Sequence, residues 1–116
     1  MDGPVYQTAN RFGGRRTQVT KAQLEAVVAR LNRLTDSPAE PYALVEGKYE
    51  AQAGCYHLDG AYGGWKLARM CEGGGSADIL PTGYVSRRSL YDAIYIYVIG
   101  VEDGLKMGRK KNAAEN

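Results

Sequence analysis

Cysteine and histidine are scarce in this chain of 116 residues, which has two cysteines, Cys55 and Cys71, and one histidine, His57. Two cysteines are too few for a disulfide framework, and a chain of this length can bury one core without such staples. Two thiols and one imidazole at this spacing match no zinc pattern, so no metal and no cofactor is expected. Long apolar runs are missing too. The most apolar stretch, residues 93–101, is too short to span a bilayer, and the amino terminus has no apolar run of the secretory kind. The expectation is a cytoplasmic protein with no membrane partner. A net charge of +2 is too small to argue for nucleic acid. The glycines 73–75 are followed by Ser76 without a lysine, which excludes a phosphate-binding loop of the Walker type. No internal repeat is visible.

What is present is an ordinary globular composition, 44% hydrophobic and 24% charged. The basic charge gathers at the two ends. Arg11, Arg15 and Arg16 mark residues 1–17 as a flexible basic arm, and Lys106, Arg109, Lys110 and Lys111 mark residues 104–116 as a flexible basic tail. Between them, residues 18–103 are expected to form a single α+β domain.

Thr20 followed by Gln23 has the form of a capping box, and Leu24, Val27, Val28, Leu31 and Leu34 recur at helical spacing, which predicts a helix over 20–34. The sequence 35–38 ends in a proline and closes it. A first strand is expected over 42–46, then a polar connection over 47–54. A hairpin over 55–71 is the centre of the chain, with Asp59-Gly60 and Gly63-Gly64 offered as its positive-φ positions. A glycine-rich connection over 72–85 leads to a second helix, capped by Ser86 and running to about Gly100. Its core stripe is Leu90, Ala93, Ile94, Tyr97 and Val101. The order is helix, three antiparallel strands, helix (αβββα), in two layers with both helices on one face of the sheet.

Cys55, His57 and Asp59 have the residue types of a nucleophile, a base and an orienter. Alternate residues of a strand stand about 6.5 Å apart, however, beyond the roughly 3 Å reach that proton transfer requires. No catalytic set is therefore expected. Ser86, Arg87 and Arg88 at the start of the second helix combine free backbone donors with two guanidinium groups, a combination suited to anions. Tyr91, Tyr95, Ile96 and Ile99 form the side of the same helix opposite its core stripe. That side is more apolar than a solvated surface requires, and it predicts a protein interface or a homodimer.

Two resemblances follow from these stretches. The αβββα order, with the run Thr82-Gly-Tyr-Val-Ser-Arg-Arg88, resembles the double-stranded-RNA-binding domain and the basic start of its last helix. The likeness implies phosphate contacts from Arg87 and Arg88, although the chain continues with Leu90 and Tyr91 where that family has an alanine-rich helix with a third lysine. The second covers roughly residues 20–101. Thr20-Lys-Ala-Gln-Leu-Glu25, Arg30-Leu-Asn-Arg-Leu-Thr-Asp-Ser-Pro38, Tyr56-His-Leu-Asp-Gly-Ala-Tyr-Gly-Gly64, Gly73-Gly-Gly-Ser-Ala-Asp78 and Gly83-Tyr-Val-Ser-Arg-Arg-Ser-Leu-Tyr91 look like a family of small accessory proteins of tailed bacteriophages and prophages. That resemblance implies action by binding a host protein, in host takeover or as a counter-defence inhibitor, and it transfers no catalytic residue. The leading expectation is thus a non-enzymatic phage accessory protein that binds a host protein. The alternative is a nucleic-acid or nucleotide-binding module using Arg87, Arg88 and the basic ends.

Overall fold

In the computed structural model the described residues are 18–115, with side chains described to residue 111. The arm expected over 1–17 lies outside them. Helix α1 (Lys21–Leu34) is followed by strands β1 (Tyr42–Val45), β2 (Lys48–Ala51), β3 (Tyr56–Ala61), β4 (Gly64–Met70) and β5 (Ser76–Asp78), and then by helix α2 (Arg87–Glu115). The fold is α+β.

Helix α1 begins as its sequence requires. The Thr20 hydroxyl accepts from the Gln23 N–H at 3.1 Å, and the Gln23 side-chain oxygen accepts from the Thr20 N–H at 2.8 Å. At the other end the Thr35 hydroxyl donates to the Leu31 carbonyl at 2.8 Å, and Asp36 turns the chain away at φ 54°.

Strands β3 and β4 pair from Tyr56↔Arg69 to Ala61↔Gly64. The turn between them is Tyr62-Gly63, at φ 53° and 73°, which is the backbone handedness that suits a two-residue hairpin loop. The expected turn positions Asp59-Gly60 and Gly64 lie within the strands instead. Gly60 is needed there for packing, because the Trp65 ring lies across it and a Cβ would come within 2.8 Å of the indole.

Two further corrections concern the sheet. Strands β3, β4 and β5 form a three-stranded antiparallel sheet, so its third strand comes from the connection expected over 72–85. Strand β1 belongs to a separate two-stranded hairpin, paired with β2 inside the connection expected over 47–54. Glu46-Gly47, at φ 49° and 80°, is a second turn of the same kind, and the ladder it starts places a polar Lys-Tyr-Glu run in β2.

The core is where the two helices meet one face of the larger sheet. Leu24, Val27, Val28 and Leu31 of α1 pack with Tyr56 and Leu67 of the sheet and with Leu90, Ile94 and Val98 of α2. Both helices therefore share one layer. Helix α2 does not stop near Gly100. It runs for 29 residues, about 43 Å at 1.5 Å per residue, through the stretch expected to be a tail. Leu105, Lys106, Met107, Arg109, Lys110 and Lys111 are good helix formers, and extending an existing helix over Gly104 and Gly108 is easier than nucleating a new one.

Asn32 is the buried polar residue of α1. Its carboxamide oxygen accepts from the Tyr56 N–H at 2.8 Å and its amide nitrogen donates to the Tyr56 carbonyl at 3.0 Å. This is the pairing a neighbouring strand would supply at the edge of β3. Asn32→Ala leaves the buried Tyr56 N–H without its partner and its carbonyl with only the Cys55 thiol at 3.4 Å, at about 1–3 kcal/mol for each group so deprived. Urea denaturation is expected to show a loss of roughly 2–4 kcal/mol, and a loss below about 1 kcal/mol would show that the pairing is not needed.

The Tyr56 ring meets Tyr97 edge-on, with the two hydroxyls 3.2 Å apart. Burial, then the Tyr97 hydroxyl, pushes the Tyr56 phenol up from 10.0 to about 12. The folded chain thus keeps its proton where the unfolded chain gives it up. Stability from this group is complete below about pH 10 and is lost as the pH rises toward 12. Tyr56→Phe is expected to flatten that alkaline decline in a denaturation series from about pH 9 to 12; an unchanged slope would assign the decline to other groups.

Candidate interaction surface

The four residues expected to form an interface divide into two pairs. Tyr91 is half-buried and packs against the core, with the Tyr95 ring 6.2 Å away along the helix. Both border a shallow groove beside Val27, Arg30 and Arg33 of α1. Ile96 and Ile99 face away from the core and are 70% and 51% exposed. The structure therefore presents Ile96 and Ile99 as the open part of the patch, with Tyr95, 41% exposed, along its margin. Lower on the helix, Leu105 and Met107 continue the apolar exposure.

A second apolar surface was not singled out from the sequence. In the β1–β2 hairpin, Leu44 stands opposite Tyr49 and Tyr42 opposite Ala51, so these side chains share one face. Leu44 is 63% exposed and Tyr49 76%. The base of the hairpin is closed by a hydrogen bond from the Gln52 N–H to the Pro41 carbonyl at 2.8 Å. The signal was present in the sequence as Tyr42 and Leu44 in alternation, Glu46-Gly47 as a turn, and Tyr49 beyond it.

Each residue of the expected anion site has an intramolecular role. The Ser86 hydroxyl accepts from the Ser89 N–H at 3.1 Å and so caps α2. Arg87 donates from Nε to the Val19 carbonyl at 2.8 Å, which ties the start of α2 to the residues leading into α1. Arg88 pairs with Asp92 one turn on, at 3.3 Å, and lies over the Tyr91 ring. Basic charge is also displayed outward by Lys106, Arg109, Lys110 and Lys111 on the last turns of α2, all exposed.

Cys55, His57 and Asp59 are likewise occupied separately. Cys55 is fully buried, and its thiol is pushed up by that burial and then by the charge of Glu40, which disfavours the thiolate a nucleophile needs. Asp59 accepts from the Tyr84 hydroxyl at 2.7 Å, and that bond raises the Tyr84 phenol. Lys66 lies over the Tyr84 ring and pairs with Asp78 at 2.9 Å, completing a polar cluster on the sheet face away from the helices. His57 offers Nδ1 to the Leu58 carbonyl at 3.4 Å, while its buried Nε2 has no partner among the described residues.

No helix among the described residues is long and apolar enough to cross a membrane. No family model matches the chain, and no curated protein or solved structure is significantly similar to it.

The role of Arg87 is testable by substitution. A hydrogen bond from a charged group to a carbonyl contributes about 1.5–3 kcal/mol. Arg87→Ala is expected to lower stability by about 1.5–2 kcal/mol in chemical denaturation. A loss under about 0.5 kcal/mol would remove the structural role assigned to Arg87.

Proposed function

We propose that this chain is a non-enzymatic accessory protein that acts by binding a host protein, of the kind tailed phages use for host takeover or counter-defence. The observation that supports it is the outward side of α2, where Ile96 and Ile99 stand open to solvent beside Tyr95. Large aliphatic and aromatic side chains grouped on one rigid helix give up water at little conformational cost when a partner covers them. The groups with chemistry to offer, Cys55, Asp59 and Arg87, are held by intramolecular contacts instead. The likeness of residues 20–101 to phage accessory proteins supplies the class of partner. A homodimer through the same patch is the competing occupant.

Burying what remains exposed of the two isoleucines contributes about 1–2 kcal/mol each, so replacing both removes about 2–3 kcal/mol of association energy, roughly thirty- to a hundredfold in Kd. Ile96→Asp/Ile99→Asp is expected to keep the circular dichroism and melting curve of the parent chain and to lose the protein it captures from a bacterial host lysate. Undiminished capture of that protein would rule out this surface. Light scattering of the protein alone reports the other occupant: a dimer dissolved by the double substitution would assign the patch to a second copy.

A nucleic-acid reading has one observation in its favour, the exposed Lys106, Arg109, Lys110 and Lys111 on consecutive turns of α2. Phosphate contacts release counterions, so such binding falls steeply with salt. It would depend on those four residues rather than on Arg87 and Arg88, and an absence of binding to single-stranded or duplex probes at low salt would dismiss it.

A further inference from the structure

The edge of β3 is half closed. The ladder to β4 is set by the bond from the Met70 N–H to the Cys55 carbonyl and ends at Ala61↔Gly64, so Tyr56, Leu58 and Gly60 turn their main-chain groups away from β4. At Tyr56 the Asn32 carboxamide fills both positions, in the manner of a peptide group from an adjacent strand. At Leu58 and Gly60 nothing does. Among the described residues the Leu58 N–H and both main-chain groups of Gly60 have no partner, and the Leu58 carbonyl has only the long contact from His57 Nδ1.

Alongside this edge lies a cleft of about 420 Å³, walled by Lys21, Glu25 and Asn32 of α1, by Glu40 before β1, and by His57 and Trp65 of the sheet. With His57 Nδ1 turned to the Leu58 carbonyl, the other ring nitrogen, Nε2, is buried and unmatched among the described residues. Glu40 has no ion-pair partner among the described residues, whereas Lys21 and Glu25 stand 3.9 Å apart as a pair. The cleft and the strand edge that runs on from it thus offer main-chain donors and acceptors in strand register, one unmatched imidazole nitrogen and one uncompensated carboxylate.

The geometry points to a second binding site here: an extended segment of a partner protein, bearing a lysine or arginine, adds as a strand to β3 at Leu58 and Gly60. Main-chain hydrogen bonds hold such a segment and side-chain pockets select it. Asn32 marks where it ends, because the Tyr56 position is already filled. The basic side chain reaches Glu40, and a polar group of the segment satisfies His57 Nε2. This site is independent of the α2 patch, so either can fail without the other.

The test uses the full chain labelled with nitrogen-15 and three acetylated, amidated pentapeptides: Thr-Val-Lys-Val-Thr, the same with glutamate for lysine, and the lysine peptide N-methylated at alternate main-chain positions. At millimolar concentration the lysine peptide is expected to shift the Leu58 and Gly60 amide resonances and to slow their hydrogen exchange at least tenfold. N-methylation abolishes both effects, and the glutamate peptide binds at least tenfold more weakly. Glu40→Lys, at an exposed position, reverses the preference between the lysine and glutamate peptides. Ile96→Asp/Ile99→Asp leaves all of this unchanged. Strand addition is overturned if no peptide moves these two amides, if the N-methylated peptide binds as well as its parent, or if the amides shift with protein concentration alone, which would mean a second copy occupies the edge.

Discussion

Among the described residues, Asn32 forms the one tie in which a helix side chain takes the place of a strand. Its carboxamide bonds both main-chain groups of Tyr56 at the edge of β3 and so fastens α1 to the sheet at that point. With α1 held there, Leu24 and Leu31 meet Tyr56 and Leu67, and the remaining gap accepts Leu90, Ile94 and Val98 of α2. Arg87 then joins the start of α2 to Val19, and Arg30 meets Glu102 at 2.8 Å further along. A buried amide left without partners is costly, so the pairing discriminates against other placements of the helix as well as stabilising this one.

The exposed surfaces follow from that arrangement. A helix of 29 residues laid against a partner of 14 cannot be covered along its whole length or around its whole circumference. Its far side therefore keeps Ile96 and Ile99 in water, and its last turns extend Lys106, Arg109, Lys110 and Lys111 outward. The same Asn32 pairing covers one position of the β3 edge and leaves the next two uncovered. Edge strands are usually blunted by charge, bulges or a covering element. Here the covering stops partway and a cleft begins.

Polar chemistry in this molecule is largely inward-directed. Tyr84, Asp59, Lys66 and Asp78 hold one another on the open sheet face, and Cys55 is shut away from solvent. What remains available to another molecule includes apolar side-chain surface, main-chain hydrogen bonding at one edge with His57 and Glu40 beside it, and a set of basic side chains at one end.

Much of the framework was legible along the chain because its causes are local. Thr20 and Gln23 are three residues apart, the α1 stripe repeats within a few turns, and the central hairpin is closed by a two-residue turn, so neighbouring residues suffice to announce them. Short strands behave otherwise. β2 and β5 are 4 and 3 residues long and have polar or small side chains, and they become strands through the hydrogen bonds that β1 and β4 offer them. The turn at Tyr62 lies at a tyrosine in a left-handed conformation, which glycine counting overlooks. The length of α2 was missed because the helix was expected to end near Gly100, whereas Gly104 and Gly108 are carried by the turns before them. Helix starts, apolar stripes and the α+β class thus belong to residue order, since propensity and periodicity act over a few positions. Which apolar residues stay in water, what engages Arg87, and why the β3 edge closes at Tyr56 but not at Leu58 belong to the folded chain, because each depends on a partner that only folding brings near, as Asn32 meets Tyr56 across 24 positions.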